Sequence, residues 1–152
     1  MEQEEKGVEA RLLAALAHGS AVAQGIGILV GVLVYVTQRD KSRFAAFQAL
    51  QAAVYQLVNF IIVIGMWIVW GVFYGVGMIP FIMYFENHPD AAPPVSFWIF
   101  TMSWVLPLIF MLFVGLFGLW GALRTWQGAD FRYPLIGGWL ERSGLRFASN
   151  SE

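Results

Sequence analysis

The sequence contains no cysteine, which excludes disulfides, thiol nucleophiles and cysteine-held iron–sulfur clusters. Charge is also scarce, because only 12% of the 152 residues are charged, against roughly 25% in an ordinary soluble domain. The net charge of −1 lacks the basic excess of a nucleic-acid-binding protein, so no nucleic acid partner is expected. Since 59% of the residues are hydrophobic, membrane lipid is the first partner that the composition predicts.

Three intervals carry no charged residue, namely 12–38, 44–85 and 91–123. A hydrocarbon core needs about 20 apolar residues at a rise of about 1.5 Å each, so every interval is long enough to span it. We therefore predict an all-α integral membrane protein with three transmembrane helices at about 12–37, 54–85 and 95–123. A straight helix over the whole second interval would measure about 63 Å, so we expect an amphipathic interfacial helix at about 42–53 before the second span.

The first hydrophobic stretch leaves an alternative open, because Gly25 and Gly27 lie in its second half. A helix broken there would form a re-entrant hairpin and give four helical segments in all. Each arm of that hairpin would be too short to span, so the hairpin would need burial inside protein. The two arrangements differ at residue 1, which three spans place outside the cell and the hairpin places inside.

The distribution of Lys and Arg predicts sidedness. Three basic residues lie in loop 38–43 and four in the tail 124–152, whereas loop 86–94 has none. We expect a multi-pass protein of the cell inner (plasma) membrane, with loop 38–43 and the C-terminus cytoplasmic and loop 86–94 external. Residues 1–10 form an acidic N-terminal tail, residues 11–123 a single membrane domain, and residues 124–152 a cytoplasmic or interfacial tail.

Polar side chains interrupt the apolar runs and form the candidate functional face. These residues are His18, Gln24, Gln48, Gln51, Gln56 and Asn59. An unpaired amide or imidazole is costly in lipid, so they must face protein, water or the interface. They are either hydrogen-bonding groups between helices or the lining of a hydrophilic path. No cofactor or metal is predicted, since the only other histidine is His88 in the external loop, and no catalytic set can be assembled at one depth.

Glycines at the spacing small-x-x-x-small predict close helix contacts. The predicted contact residues are Gly27, Gly31, Gly71, Gly75, Gly115 and Gly118. Spacing leaves open whether these contacts lie within the chain, in a homo-oligomer or with a foreign subunit. A protein partner within the membrane is therefore expected.

Three segments carry a resemblance to a known family: ARLLAALAH at 10–18, QRDKSRFAAFQALQA at 38–52 and FRYPL at 131–135. Together they resemble a widespread family of small bacterial and archaeal membrane proteins of unknown function, similar to the membrane subunit of the chloroplast inner-envelope protein translocon. The resemblance singles out His18, Arg39, Phe44, Phe47, Gln51, Ala52, Tyr133 and Pro134. This chain departs from the family at Gln48, where the family tends to have histidine.

The functional hypothesis is a non-enzymatic interaction or scaffold subunit of a larger membrane assembly. Its basis is the combination of spans that lack a substrate site with a glycine edge on each span. The alternative, which the resemblance implies, is a protein-translocation or channel-like component. It requires a water-filled passage lined by His18, Gln24, Gln56 and Asn59 in an oligomer.

Overall fold

The computed structural model describes residues 7–142, and this part of the chain contains helices and no strand. The predicted all-α class is confirmed. The helices are α1 Val8–Gly19, α2 Gly25–Gln38, α3 Arg43–Asn87, α4 Val95–Thr101, α5 Val105–Trp126 and α6 Ile136–Arg142. Short 3₁₀ turns at Ser20–Ala23 and Met102–Trp104 follow α1 and α4.

The first hydrophobic stretch is broken into two helices, so the predicted span at 12–37 is wrong. After α1 and its 3₁₀ turn, Gln24 adopts a left-handed φ of 51°, which interrupts the helix before α2 begins. Ala17 and Val34 then share one buried cluster, and the Ser20 hydroxyl donates to the Gly27 carbonyl at 3.2 Å. The arms of 12 and 14 residues measure about 18 and 21 Å, less than a hydrocarbon core of about 30 Å. This arrangement is the hairpin of the alternative.

The N-terminal part of α3 is not a separate interfacial helix, and the prediction for 42–53 is wrong in this respect. A single helix of 45 residues extends for about 68 Å. Its first turns are buried by other parts of the chain, with Ala45, Ala49 and Ala52 fully inaccessible. The Ser42 hydroxyl caps it by accepting from the Ala45 N–H at 3.2 Å. Pro80 lies inside the helix and does not end it.

Within residues 7–142, two helices, rather than three, are long and apolar enough to cross a membrane: Arg43–Asn87 and the run Val95–Trp126. Only 6% and 17% of their most apolar 18-residue stretches are buried. The core helix of a soluble protein would be mostly buried, and a signal sequence would lie at the N-terminus, so neither explains these helices. The run Val95–Trp126 is interrupted at Met102–Trp104, and Pro107 lies in the first turn of α5, where a missing N–H is tolerated.

The chain divides into two compact units. Unit 1 comprises Met1–Phe60 and Phe113–Glu152 and holds the candidate site, whereas unit 2 is Ile61–Leu112. Aromatic contacts organise unit 2, where the Tyr74 ring stacks on Trp70 and on Phe100, with centroids 4.8 and 5.2 Å apart. Trp70 also donates to the Ser103 hydroxyl at 3.1 Å.

The C-terminal region is not a surface tail over the residues that the structure describes. Its Tyr133 and Leu140 are only 2% and 1% exposed, and they belong to the interior of unit 1. The predicted acidic tail at 1–10 falls largely on residues 1–6, which lie outside the described residues, as do residues 143–152. Helix α1 already begins at Val8.

Candidate functional site

The site is built around His18, which lies at the end of α1 and is completely buried. Its Nε2 is 2.9 Å from Gln48 Oε1 and its Nδ1 is 3.0 Å from the Tyr133 hydroxyl. Because an amide oxygen can only accept, Nε2 carries the proton, and Nδ1 accepts from the Tyr133 O–H. In the neutral imidazole, the two contacts therefore select one tautomer.

The hydrogen-bonded chain continues from Gln48 to the surface. Gln48 Nε2 donates to Asp130 Oδ1 at 2.9 Å, and Asp130 pairs with Arg132 at 2.9 Å. The Asp130 and Arg132 side chains are about half exposed, whereas Gln48 is fully buried. Asp130 is the common acceptor of this chain, because Gln48 of α3 and Arg132 of the segment that follows α5 both donate to it.

Gln51, one turn further along α3, binds the same segment through its backbone. Its Nε2 donates to the Phe131 carbonyl at 3.0 Å, and its Oε1 accepts from the Tyr133 N–H at 2.8 Å. The side-chain amide thus satisfies two backbone groups that would otherwise be buried without partners. We call the set His18, Gln48, Gln51, Asp130 and Tyr133 the polar clamp.

Aromatic rings close the clamp against water. The Tyr133 ring stacks on Tyr55, with centroids 3.9 Å apart and planes at 4°. The Phe131 ring meets the edge of His18 at 5.5 Å, and the Tyr55 hydroxyl donates to the Val114 carbonyl of α5 at 3.1 Å. Burial, and secondarily the neighbouring Tyr55, raises the pKa of Tyr133 above its ordinary value, so its hydroxyl remains a proton donor.

A second polar contact joins α3 to the turn of the hairpin. Gln56 Nε2 donates to the Ala17 carbonyl at 2.9 Å and lies 3.3 Å from the Ser20 hydroxyl. Asn59 donates instead to the Tyr55 carbonyl of its own helix at 2.8 Å, and Gln24 forms the hairpin turn. Of the six polar residues singled out from the sequence, the structure brings His18, Gln48 and Gln51 together in the clamp.

The residues of the family resemblance divide in the same way. Gln51 and Tyr133 belong to the clamp, while the neighbouring Pro134 is exposed. Phe44 packs in a buried cluster at the start of α3, Phe47 is half-buried, and Arg39 pairs with Asp40 at the surface. Sequence reasoning missed Asp130, Arg132 and Tyr55. The only signal for Asp130 was its position directly before the FRYPL segment.

The predicted contact glycines fall into two groups. A Cβ at Gly27 or Gly31 in α2 would meet atoms of α3, and one at Gly115 or Gly118 in α5 would meet the hairpin turn. Gly27, Gly31 and Gly118 thus lie at close approaches within unit 1, whereas Gly115 is in ordinary van der Waals contact. Nothing lies within 4 Å of a Cβ at Gly71 or at Gly75 in α3, so their predicted contacts are not formed within the described part of this chain and stay a prediction.

The clamp joins segments of the chain to one another. Within residues 7–142, no three His, Asp or Glu side chains are grouped as a metal ion would require. The carboxylate of Asp130, the one acidic group in the clamp, is engaged by Gln48 and Arg132. The arrangement therefore fixes the C-terminal segment against α1 and α3.

The fold and the clamp define a helical membrane protein whose short N-terminal hairpin is locked to a long helix by buried amide and imidazole groups. A family model matches residues 9–140, and the chain belongs to this family, the magnetosome magnetite crystal formation protein family (MamF/MmsF). No curated protein and no solved structure matches the chain. The predicted membership of a small bacterial membrane protein family is confirmed in this form, whereas the likeness to the chloroplast translocon subunit stays a prediction.

Proposed function

We propose that this protein is a non-enzymatic membrane scaffold that takes part in magnetite crystal formation. The family description indicates the process, and the polar clamp supports the scaffold role. In the clamp, buried polar groups bond to one another and to the backbone of loop 131–133 instead of facing a cavity. Such a network rigidifies a fold and holds its surface in one arrangement for partners.

The clamp also argues against a water-filled passage. His18 is completely buried and Gln56 is 4% exposed. Their hydrogen-bond partners are Gln48 and Tyr133 for His18, and Ser20 and the Ala17 carbonyl for Gln56. Asn59 is bonded back to its own helix. A passage would need these side chains to exchange protein partners for water, so we favour the scaffold over the translocation-type component.

We further propose a topology with two spans and a re-entrant hairpin. The hairpin returns the chain to the side from which it started. Both ends of the hairpin therefore lie on the same side of the membrane as the end of α5. All nine Lys and Arg residues of the sequence then face the cytoplasm, and loop 88–94 faces the other compartment. Three spans would leave Lys6 and Arg11 on the far side, so two spans agree better with the positive-inside rule.

The same proposal extends to the bilayer and to the partner. The sequence favoured the inner membrane, and the family description adds the magnetosome, so we place the protein in the membrane that bounds the forming crystal. The open face at Gly71 and Gly75 is the proposed contact with a second membrane protein or a second copy, since small residues let helix backbones approach closely.

Single-cysteine labelling tests the topology, because the natural chain has no cysteine to remove. Lys41→Cys and Asp90→Cys variants are produced in a host that forms no magnetosomes, so that they lie in the plasma membrane, and are treated with a membrane-impermeant maleimide on intact and on permeabilised spheroplasts. We expect Asp90→Cys to react in intact spheroplasts and Lys41→Cys to react only after permeabilisation. Reaction of both variants from the same side would overturn the two-span topology.

Cross-linking tests the scaffold role. A Gly75→Cys variant carrying a photoreactive group is compared with Val69→Cys, which is exposed on another face of α3. We expect a defined adduct of higher mass from Gly75→Cys in native membranes and little or none from Val69→Cys. Monomer alone from both positions, together with a monomer in native purification, would contradict the proposal.

Complementation tests the link to magnetite. A magnetite-forming bacterial host that lacks its own member of the family receives this chain, and its presence in the membrane is verified by immunoblotting. Restoration of crystal size and number in electron micrographs is the expected result. Crystals unchanged from those of the deletion host, at normal membrane levels of the protein, would contradict a role in this process.

A further inference from the structure

The outer surface of the α1–α2 hairpin is apolar along both arms. Large hydrophobic side chains that are about half or more exposed follow one another along it: Leu12, Leu16, Val22, Ile26, Leu29 and Leu33. No charged residue occurs in 12–38. The buried contacts of the hairpin with α3 lie on its other face, and only Val22 of the outer residues also approaches Gly115 of α5. This surface needs an apolar environment that unit 1 does not itself supply.

The charges around the hairpin are confined to its open end. Glu9 and Arg11 lie at the start of α1, and Arg39, Asp40 and Lys41 follow α2 directly, with Arg39 paired to Asp40. The tip at the opposite end is formed by Ser20–Ala23 and Gln24, where Val22 is 58% exposed. A hairpin with its charged residues at the base and none along its arms matches a phospholipid leaflet, in which charged headgroups lie above acyl chains.

The contacts of the tip indicate how deeply it reaches. A Cβ at Gly115 would lie 3.6 Å from Val22, and one at Gly25 would lie 3.0 Å from the Phe60 ring. Gly115 is 11 residues before Trp126, the end of α5, which corresponds to about 17 Å along the helix. One leaflet contributes about 15 Å of a hydrocarbon core of about 30 Å. The tip therefore lies about one leaflet thickness along α5 from Trp126.

We propose that the hairpin inserts into the cytoplasmic leaflet alone and makes the protein prefer membranes that are convex on that side. The inference rests on the proposed two-span topology. A helix is about 10–12 Å across, so two arms add about 200 Å² to the leaflet that they enter and nothing to the opposite one. Such an imbalance favours bilayers in which the cytoplasmic leaflet is the expanded one, and insertion into one leaflet is sensitive to curvature.

The depth of the hairpin is tested with nitroxide labels on the full chain, reconstituted in vesicles of phosphatidylcholine and phosphatidylglycerol. For labels at Val22→Cys and Leu29→Cys, we expect strong enhancement of nitroxide relaxation by oxygen, which dissolves in acyl chains. A water-soluble nickel complex should enhance their relaxation only weakly. A label at Lys41→Cys is expected to show the reverse. Strong relaxation by nickel at both Val22→Cys and Leu29→Cys would overturn the insertion of the hairpin.

The curvature preference is tested on single vesicles of the same lipids, extruded to small and large diameters. An impermeant fluorophore labels Lys41→Cys or Asp90→Cys from outside, so each variant reports one orientation of the same protein. Molecules labelled at Lys41→Cys hold the hairpin in the outer, convex leaflet, and we expect their density to be about twofold or more higher on small vesicles. Molecules labelled at Asp90→Cys hold the hairpin in the inner, concave leaflet, and their density should be lower on small vesicles than on large ones.

The two orientations serve as controls for each other, because the fold and the lipids are identical. Equal densities on small and large vesicles in both orientations, or the same preference in both, would overturn the curvature inference. Neither result bears on the cross-linking or on the restoration of crystals. Labelling of both positions from the same side in spheroplasts, by contrast, would remove the topology on which the inference rests.

Discussion

Removal of one hydroxyl group, in Tyr133→Phe, measures what the polar clamp contributes to stability. The phenyl ring keeps its place against Tyr55, with ring centroids 3.9 Å apart, so the change is confined to the hydrogen bond of 3.0 Å to His18 Nδ1. The other ring nitrogen of His18 must keep its proton for Gln48, so Nδ1 is left as a buried acceptor. An unsatisfied buried group costs about 1–3 kcal/mol, and we expect the free energy of unfolding to fall by that amount.

The measurement is a titration of purified protein in mild detergent with sodium dodecyl sulfate, followed by tryptophan fluorescence. Tyr74→Phe is the matched control, since Tyr74 is also stacked between aromatic rings and its hydroxyl makes no hydrogen bond to the part of the chain that the structure describes. We expect the control to change the free energy of unfolding by no more than about 0.5 kcal/mol. If both variants lost the same free energy of unfolding, the loss would come from the general exchange of tyrosine for phenylalanine and not from the clamp.

A double-mutant cycle with His18→Ala then isolates the pair. In the His18→Ala background the Tyr133 hydroxyl has lost its partner, so Tyr133→Phe should cost less than about 0.5 kcal/mol there. The coupling energy should accordingly be about 1–3 kcal/mol. An equal cost of Tyr133→Phe in both backgrounds would refute the assignment of this hydrogen bond to the clamp.

Four further variants test other contacts of unit 1 and one glycine of unit 2. In the same titration, Gly27→Ala should cost about 1–3 kcal/mol, because its Cβ would overlap the backbone of the hairpin turn, whereas Gly71→Ala, in open space, should cost nothing and add up to about 1 kcal/mol of helix propensity. Gln51→Leu should leave two backbone groups of loop 131–133 unpaired at about 1–3 kcal/mol each, and limited proteolysis should show faster cleavage of that loop. Asp130→Asn keeps an oxygen for the buried amide and loses only an exposed ion pair, so it should cost at most about 1 kcal/mol, with little salt dependence left.

The helical class and the apolar helices were predictable because they depend on local sequence. Charge-free runs of sufficient length are read directly from the chain, and the run Val95–Trp126 matches the predicted span at 95–123 closely. The break in the first stretch was foreseen only as an alternative. It occurs at Gln24, a residue with an unusual φ of 51°. The packing of α1 against α2 stabilises this break, and hydrophobicity alone does not indicate it.

The error at the start of α3 has a different cause. The length rule assumes that an apolar helix is surrounded by lipid, so a helix of about 68 Å had to be divided. In the structure the first turns of α3 are surrounded by the hairpin, α5 and loop 131–133, and there is no reason for the helix to end. The alanines Ala45, Ala49 and Ala52, fully buried, are the signal of this close packing in the sequence.

The candidate site was half predictable. His18, Gln48 and Gln51 stand out because polar groups in apolar segments need partners. Their partners could not be deduced, since Asp130 lies 82 residues from Gln48 and Tyr133 lies 115 residues from His18. No local pattern connects positions so far apart, and only the folded chain brings them together.

The two units are held by different means, and this difference determines which parts the clamp variants should affect. Between helices in lipid there is no hydrophobic driving force, so they associate through close packing and polar contacts. Unit 1 uses small residues and the clamp, whereas unit 2 relies on stacked rings around Tyr74 and one hydrogen bond to Ser103. Loss of the clamp should therefore loosen unit 1 locally. The adduct from Gly75→Cys, which lies in unit 2, should persist when Gln51→Leu is added to the same chain. Disappearance of that adduct at normal membrane levels would show that the partner recognises the clamped segment itself.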